Sequence, residues 1–535
     1  MEAEVCIVGA GAAGAIMALE LGRRGIQVVV LESGPRHDFA DRGQYVRAYL
    51  RRENPWRSRL PDQDRHTLGG VVGYGLEGRR ARGVGGSTLH WEGYTLRFHA
   101  NDFELRSRHG IAEDWPIGYA DIEPYYGRAE AALGVAGAPD DPGASSRSIP
   151  FPLPAFPLSY SDGIFARACS TLAIGLHHLP QARNSIPHGG RAQCQACGTC
   201  HVCPTGAKAS TDLTHIPAAE ATGNVRILTD ATALRLELDT SGDVAAIVYA
   251  HPDRVERRLP ARTFVLAAGA VENPRLLLLS ASKDRPAGLA NGSGLVGKFF
   301  MSHPSIDITG RVKENAYPYR IGFSTAMSRH FAVAGDRSVR GAFLLEFLNS
   351  AGPTPADLAA ASRLAGEALR RHVQAEFGQR LGIRIYCEQL PDPANSVSLN
   401  LRVRDYFGAP VPHITYRVGR YEREALEEGR RVARRIFDTI GATDIRATLV
   451  SPAAHQIGTH RMGIDPRTSV VDPNLRAHEV PNLYLVGSGS FVTATAAPPT
   501  LTIAALAIRA AEHIATEALG GVQPRESSAR RYETV

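Results

Sequence analysis

Residues 4–14 of this 535-residue chain read EVCIVGAGAAG. The apolar run at their start predicts a buried strand, and the pattern after the glycines predicts a helix through Leu21. A second apolar run, residues 26–31, predicts another strand, which ends in Glu32. This order of strand, glycine turn, helix and strand is typical of a parallel βαβ unit. We therefore expect a Rossmann-type α/β domain to be built on these residues.

The glycine spacing in this unit predicts a dinucleotide site. Gly9 permits the tight turn, Gly11 lets the backbone approach a pyrophosphate, and Gly14 lets the helix pack closely on the strand. Free N–H groups at the start of the helix attract phosphate oxygens. Glu32 stands where a carboxylate accepts hydrogen bonds from ribose hydroxyls. The motif alone leaves open whether the dinucleotide is a nicotinamide or a flavin cofactor.

Composition excludes several classes of protein. The chain has 60 Lys+Arg against 54 Asp+Glu, 44% hydrophobic and 21% charged residues, which is close to the globular average. Because the basic residues are spread out, we expect no nucleic-acid partner. The pairs Arg79-Arg80 and Arg370-Arg371 are interpreted as solvated faces of loops or helices.

The longest uncharged stretch, residues 482–508, does not predict a membrane helix. It contains glycines, prolines and many hydroxyl groups, which are unsuited to a membrane span. Residues 1–8 lack the basic and small-residue pattern of a secretory signal. We therefore expect no transmembrane segment and a cytoplasmic location.

A second glycine-rich loop, residues 82–91, reads RGVGGSTLHW. Other motifs follow in order: DWPI at 114–117, FVLAAGA at 264–270, HP at 303–304, HQIGT at 455–459 and NLYLV at 482–486. With these motifs the chain resembles the glucose–methanol–choline (GMC) family of FAD-dependent oxidoreductases over nearly its whole length. The resemblance is strongest to the bacterial sugar dehydrogenases of that family, and pyranose oxidases are further relatives.

The resemblance implies FAD as the cofactor and a two-domain architecture. The FAD domain would combine residues 1–100, 190–300 and 450–520, and an α+β substrate domain with an antiparallel sheet would span 301–449. Residues 101–189 would connect or cover these domains, and 521–535 would be a flexible tail. The family pattern places the following residues near the cofactor: Gly85, Gly86, Ser87, Ala233, Gly269, Gly489 and Ser490.

His90 lies in the same loop, where pyranose oxidases carry a histidine bonded covalently to the flavin. Sugar dehydrogenases that the chain resembles also have a His-Trp pair there. We therefore expect His90 to contact the flavin without a covalent bond.

His455 matches the family's catalytic histidine. Oxidation of an alcohol by hydride transfer needs a base for the hydroxyl proton, and a neutral imidazole is suited to that task. Family members usually place a second His or Asn before the last helix, but this position is Pro498 here, which has no side-chain donor. Either His455 works alone, or Thr495, His460 or His90 completes the site.

Four cysteines at regular spacing, Cys194, Cys197, Cys200 and Cys203, could bring thiolates together from one loop. The sugar dehydrogenases that the chain resembles carry an iron–sulfur cluster at this place, and we expect a three- or four-iron cluster. Structural zinc and bare thiols or disulfides are the alternatives. The three other cysteines are expected to be buried small hydrophobes.

The sequence thus predicts FAD-dependent oxidation of a hydroxyl group of a sugar or glycoside, with electrons passed to an external acceptor. The resemblance also implies a small partner subunit and a cytochrome acceptor. Two alternatives stay open: an oxygen-using oxidase of a natural product such as an aminoglycoside, and a non-catalytic FAD-binding electron-transfer subunit.

Overall fold

The computed structural model describes residues 3–141, 143–316, 322–333, 336–518 and 520. Its helices are Ala12–Gly22 (α1), Arg42–Leu50 (α2), Leu105–His109 (α3), Tyr119–Leu133 (α4), Tyr160–Thr171 (α5), Thr211–Thr214 (α6), Ile216–Glu220 (α7), Gly269–Leu279 (α8), Pro355–Ala361 (α9), Gly366–Glu376 (α10), Arg420–Thr439 (α11) and Thr500–His513 (α12).

Its strands are Ala3–Val8 (β1), Val28–Leu31 (β2), Thr67–Gly70 (β3), Ala136–Gly137 (β4), Leu153–Pro154 (β5), His177–His178 (β6), Val225–Leu228 (β7), Thr232–Leu238 (β8), Val244–Ala250 (β9), Glu256–Leu266 (β10), Pro304–Arg311 (β11), Ser324–Ser328 (β12), Phe343–Leu348 (β13), Arg380–Cys387 (β14), Ser396–Arg404 (β15), Pro410–Tyr416 (β16), Thr443–Ala447 (β17), Ser451–Pro452 (β18) and Leu483–Leu485 (β19).

The expected α/β domain is built on a parallel sheet. Its strands β7, β2, β1, β10 and β19 lie side by side in that order, and all four neighbouring pairs are parallel. β1, β2 and the second half of β10 are rich in Val, Ile and Leu, as a sheet covered on both faces requires. The first half of β10 turns away and pairs with β9 and β8 as an antiparallel excursion.

A second, antiparallel sheet forms the other half of the molecule. Its strands run in the order β17, β11, β14, β13, β12 and β6, and β18 also pairs with β11. Alternate residues point to opposite faces of a strand. One face is apolar and packs with α11 and α5 in a hydrophobic core. The mixed architecture, with a parallel and an antiparallel sheet, is the one predicted.

The chain segments contribute to these layers as follows. Within residues 101–189, α4 packs against α12 in the core of the parallel-sheet half, whereas α5 and β6 join the antiparallel half. β15 and β16 form a separate three-stranded sheet with β3. The predicted tail, 521–535, lies outside the described residues.

Helix α2 lies in a stretch, residues 36–82, that the sequence pattern indicates to be irregular. It is mostly polar and only Arg42 is buried, so it carries no apolar stripe from which a helix could be read. In the part of the chain that the structure describes, no helix combines the length and apolarity needed to cross a membrane.

Candidate active site

The first glycine loop is shaped for a close backbone approach. Gly9 adopts φ +100°, and a Cβ there would lie 2.8 Å from the Ala267 carbonyl oxygen. A Cβ at Gly14 would lie 1.9 Å from the Gly9 carbonyl oxygen, because α1 presses against the turn. By contrast, a Cβ at Gly11 would meet only the Gly86 Cα, at 3.8 Å. The protein therefore leaves open space in front of Gly11.

Glu32 joins this loop to the second glycine loop. Its carboxylate accepts hydrogen bonds from the backbone N–H groups of Ala10 (2.9 Å), Gly34 (2.9 Å) and Gly83 (3.0 Å). Burial raises the pKa of Glu32, and these backbone donors oppose that effect. The two loops also touch directly, since a Cβ at Gly86 would lie 2.7 Å from the Gly11 Cα.

One cavity brings together residues that are far apart in sequence. Its lining includes these predicted residues: Gly9, Gly11, Glu32, Gly86, Ser87, Ala233, Gly269 and His455. The other predicted cofactor-binding residues, Gly14, Gly85, His90, Gly489 and Ser490, are not among the lining residues, whereas Gly487 and Ser488 are. Two glycine loops at the N-terminal end of a helix, with an acid at the next strand end, fit an extended dinucleotide such as FAD.

Arg80 corrects one interpretation of the sequence. Instead of a solvated face, its side chain is 11% exposed and donates to Glu272 at 2.6 Å. Arg82 donates to the same carboxylate at 3.1 Å and to Asp64 at 2.7 Å. Glu272 and both arginines line the cavity. The predicted solvent exposure was wrong here because α8, distant in sequence, supplies the matching carboxylate.

Gly11→Ala tests the cofactor space. Since the new Cβ meets only one protein atom, at van der Waals distance, and the backbone is extended (φ −77°), we expect unchanged folding. The methyl group would instead occupy space needed by the cofactor, and we expect FAD affinity to fall about tenfold or more. The ratio of flavin to protein absorbance and the circular dichroism spectrum measure the two effects. Gly43→Ala, where a Cβ meets nothing within 4 Å, is the control.

His455 reaches the cavity from a segment held against residues 301–303. The backbones of Met301 and Ile457 exchange two hydrogen bonds, of 2.8 and 3.0 Å, and Ala453 N donates to the His303 carbonyl oxygen at 2.9 Å. This antiparallel pairing sets His303 beside His455, with 2.6 Å between their Nδ1 atoms. The site thus contains a second histidine, which belongs to the His303-Pro304 motif but was given no catalytic role from the sequence.

The hydrogen bonds around His303 set the tautomers of both rings. His303 Nε2 contacts the Thr495 carbonyl oxygen, which can only accept, so Nε2 carries the proton. Burial lowers the pKa of His303 to about 4, so the ring is neutral and its Nδ1 is an acceptor. His455 Nδ1 therefore donates to it, and His455 Nε2 is left as a free base.

We expect kcat/KM to stay constant between neutral pH and pH 6.5 and to fall only at lower pH. Burial, followed by the nearby His303 and Arg384, lowers the pKa of His455 well below 6.5. Protonation removes the free base, so kcat/KM falls as the pH drops through this lowered pKa. We expect the acid limb of the kcat/KM profile to lie below pH 6.5. A limb centred at or above 6.5 would contradict the arrangement.

His460 does not join this pair. Its Nε2 lies 3.2 Å from Asn273 Nδ2, and a Cβ at Gly489 would lie 2.0 Å from the same nitrogen. His460 is fully buried behind the cavity wall and is not among the residues that line the cavity. The geometry therefore gives no support to its predicted catalytic role and assigns it a packing role against Gly489.

His90 is likewise not among the residues that line the cavity. Its ring stacks on His201, with centroids 6.5 Å apart, and its carbonyl oxygen accepts a 2.7 Å hydrogen bond from His201 Nδ1. Burial, aided by His201 and Lys208, lowers the pKa of His90 to about 3. The expected noncovalent contact of His90 with the flavin stays a prediction.

The cysteine segment lies directly behind the second glycine loop. Lys208 links them: its Nζ donates to the carbonyl oxygens of Thr88, Leu89 and Trp91, at 3.3, 3.2 and 2.7 Å. Its backbone N–H donates to Cys203 Sγ at 3.4 Å. Burial lowers the Lys208 pKa to about 8.

The four cysteine thiols do not form a ligand set in the described structure. Cys200 Sγ is 3.7 Å from Arg183 Nη1, Cys197 is exposed, and all seven cysteines are free. Among the described residues, no three His, Cys, Asp or Glu side chains converge on a metal position. The arrangement supports neither the predicted iron–sulfur cluster nor zinc, and no disulfide is formed. Cys6, Cys169 and Cys387 are buried, as expected.

Models of protein families match most of this framework. GMC oxidoreductase models match residues 153–305 and 391–507, and an FAD binding domain model matches residues 2–48. These segments carry the first glycine loop, β10 with α8, and the His455 segment with the first half of α12. The FAD assignment of the cavity thus has independent support from sequence.

Curated relatives and a solved structure extend over the whole chain. The fructose dehydrogenase large subunit of Gluconobacter japonicus is 33% identical, over 96% of this chain and 98% of that protein. The paromamine 6'-oxidase of Streptomyces fradiae is 30% identical, over 96% and 91%. Pyridoxine 4-oxidase from Mesorbium loti shares the fold, with a TM-score of 0.65, 22% identity and coverage of 96% and 99%.

Proposed function

Because this chain belongs to the GMC oxidoreductase family, we propose that it oxidises a hydroxyl group of a sugar or glycoside with FAD as the hydride acceptor. FAD, when bound, supplies the oxidising chemistry by accepting the hydride from the C–OH carbon. The protein supplies the base. The single observation that carries the proposal is the contact of His455 Nδ1 with His303 at the wall of the cofactor cavity, which leaves Nε2 as the nitrogen of His455 that can act as a base.

Each side chain of the pair has a defined task. His455 accepts the hydroxyl proton as the hydride leaves the adjacent carbon. His303 Nδ1 accepts a hydrogen bond from His455 Nδ1–H, and His303 Nε2–H donates one to the Thr495 carbonyl oxygen, so that the base keeps one orientation. This arrangement takes the place of the second His or Asn that family members usually carry where this chain has Pro498.

The proposed substrate class follows the names of relatives. A fructose dehydrogenase subunit and a paromamine 6'-oxidase both match this chain over 96% of its length. We propose an external acceptor other than oxygen and a cytoplasmic location, as expected from the sequence, and a small partner subunit, as the family resemblance implies. The relative named as a large subunit supports a partner.

An iron–sulfur cluster on the four cysteines stays part of this proposal only through their spacing. Their segment does touch the second glycine loop through Lys208, a position suited to electron exit. Measuring the content of iron and acid-labile sulfide in the purified holoprotein tests whether a cluster is present. Three or four irons per chain would support a cluster, and iron below about 0.1 per chain would remove it.

The oxidase is the second candidate, favoured by the likeness to paromamine 6'-oxidase. An anaerobic absorbance titration with a panel of sugars and glycosides separates the possibilities. Bleaching of the flavin band by at least one carbohydrate is expected. Rapid reoxidation of the reduced flavin by oxygen would identify an oxidase. Reoxidation of the flavin only by an artificial acceptor would identify a dehydrogenase. If no carbohydrate bleaches the flavin, the non-catalytic alternative replaces both.

A further inference from the structure

The antiparallel sheet presents a row of charged residues on its face opposite the hydrophobic core. In the strand register Asp307 on β11 lies opposite Arg384 on β14, and Arg384 lies opposite Glu346 on β13. The alternate residues of the same strands form the opposite, apolar face: Ile306, Ile308, Ile383, Ile385, Leu345 and Phe347. Because residues two apart in a strand share a face, the register that places the apolar residues in the core also places the charged residues in one row.

This row lies beside the catalytic pair. Tyr386, two residues after Arg384 on the same face, has its ring centroid 5.8 Å from that of His455 and 6.4 Å from that of His303. Glu92, next to the cavity-lining Trp91, adds a further carboxylate at 4.0 Å from Arg384 Nη1. The side chains of Glu92 and Arg384 are 22% and 27% exposed, so this edge of the group reaches solvent.

The hydrogen bonds in this group leave one buried acceptor unused. Arg384 is committed to Asp307, to which it donates from Nε at 2.7 Å and from Nη2 at 2.9 Å. Glu346 is 2% exposed, and its Oε1 accepts from Tyr94 and Ser324, each at 2.6 Å. Its Oε2 accepts no hydrogen bond from the described part of the chain.

The charges in the group also do not balance. Arg384 Nη1 is shared at 3.9 Å by Glu346 and at 4.0 Å by Glu92, which is too long for a hydrogen bond to either. Three carboxylates therefore face one guanidinium, and the Oε2 atom of Glu346 has no donor in the described part of the chain. Burial and the neighbouring Glu92 raise the pKa of Glu346 to about 7. A buried acceptor without a donor is costly, which favours a ligand that supplies one.

We propose that Glu92 and Glu346 bind a protonated amino group of the substrate, so that the preferred substrate is an amino-substituted sugar or glycoside. An ammonium group supplies three donors and one positive charge, whereas a neutral hydroxyl supplies one donor and no charge. This inference rests on the proposed function, because it names the substrate class for the same reaction. Tyr386 and Arg384 form the side of the site next to His455.

The test compares methyl glucoside with its 2-, 3- and 6-amino analogues at pH 6.5 to 7, using the holoenzyme. Anaerobic flavin reduction gives activity, and perturbation of the flavin spectrum or calorimetry gives Kd. We expect at least one amino analogue to bind about tenfold or more tightly than methyl glucoside. Glu346→Gln keeps an oxygen for Tyr94 and Ser324, so it should fold and lose this preference. Glu92→Gln is the second variant, and the exposed Glu367→Gln is the control.

The outcomes separate this inference from the proposed function. If methyl glucoside binds and reduces the flavin as well as every amino analogue, the amine site is wrong while sugar oxidation stands. The same holds if both Gln variants keep the wild-type preference. If neither neutral nor amino sugars reduce the flavin, the proposed function fails and the inference fails with it.

Discussion

His455→Asn is expected to lower kcat by about 10²- to 10⁴-fold, the usual contribution of a positioned general base. Asparagine keeps a polar side chain of similar size but has no basic nitrogen, so the hydroxyl proton has no acceptor at the moment of hydride transfer. FAD content should stay at the wild-type level, since the glycine loops and Glu32 are untouched. Steady-state kinetics and the flavin absorbance ratio measure the two quantities.

The matched control for this variant is His372→Asn on α10, a histidine for which the described structure gives no hydrogen bond to the site. It should retain wild-type kcat and KM. If His455→Asn kept more than about a tenth of wild-type kcat with full FAD content, His455 would not be the base.

His303→Leu is expected to lower kcat by about 100-fold with little change in KM. The variant removes the acceptor that fixes the His455 Nδ1–H, so the wrong tautomer and other ring orientations become populated. It also leaves the buried Thr495 carbonyl oxygen without its donor, which should cost about 1–3 kcal/mol of stability. Kinetics and thermal unfolding separate the two effects.

His303→Asn provides the conservative comparison. Its amide oxygen can accept a hydrogen bond from His455 Nδ1, and its amide nitrogen can donate one to the Thr495 carbonyl oxygen. Both hydrogen bonds that His303 makes can therefore persist. We expect it to recover kcat to within about tenfold of wild type. If the Leu and Asn variants lose the same activity, or if His303→Leu loses only stability, His303 has a structural role and does not position the base.

The cofactor loop was predictable because its glycine spacing is a local pattern, complete within residues 9–14. The contact that requires Gly14 is local, with the Gly9 carbonyl oxygen, whereas the atoms nearest Gly9 and Gly11 belong to Ala267 and Gly86, which are distant in sequence. Glu32 was predictable in position, since it ends the next strand. Its hydrogen bonds to Ala10 and Gly83, which tie the two glycine loops together, depend on a loop fifty residues away and could not be read from spacing.

The second histidine was less accessible from sequence. His303 is 152 residues from His455, and their contact depends on the backbone pairing of Met301 with Ile457. The sequence signal was present only as the pair His303-Pro304 at the start of a strand. Because Pro498 occupies the usual position of the second His or Asn, the sequence suggested Thr495, His460 or His90 as its replacement. Of these, Thr495 does take part, but through its carbonyl oxygen, which every residue has.

The charged row on the antiparallel sheet depends on strand register. Asp307, Arg384 and Glu346 come from three strands, and a shift of one residue in any pairing would send a carboxylate into the apolar core. Charge alternation within one strand shows only that a face is polar. Which charges meet, and that they meet beside His455, follows from the folded chain.

The central claim, that a neutral His455 held by His303 is the base for alcohol oxidation at the FAD cavity, is tested most directly by single-turnover reduction of the bound flavin. The rate is measured anaerobically, with the best carbohydrate of the panel, from pH 5 to 9 in the wild type, His455→Asn and His303→Leu. We predict fast reduction in the wild type with an acid limb below pH 6.5, and rates about 10²-fold or more lower in both variants. Equal reduction rates in all three proteins would contradict the claim.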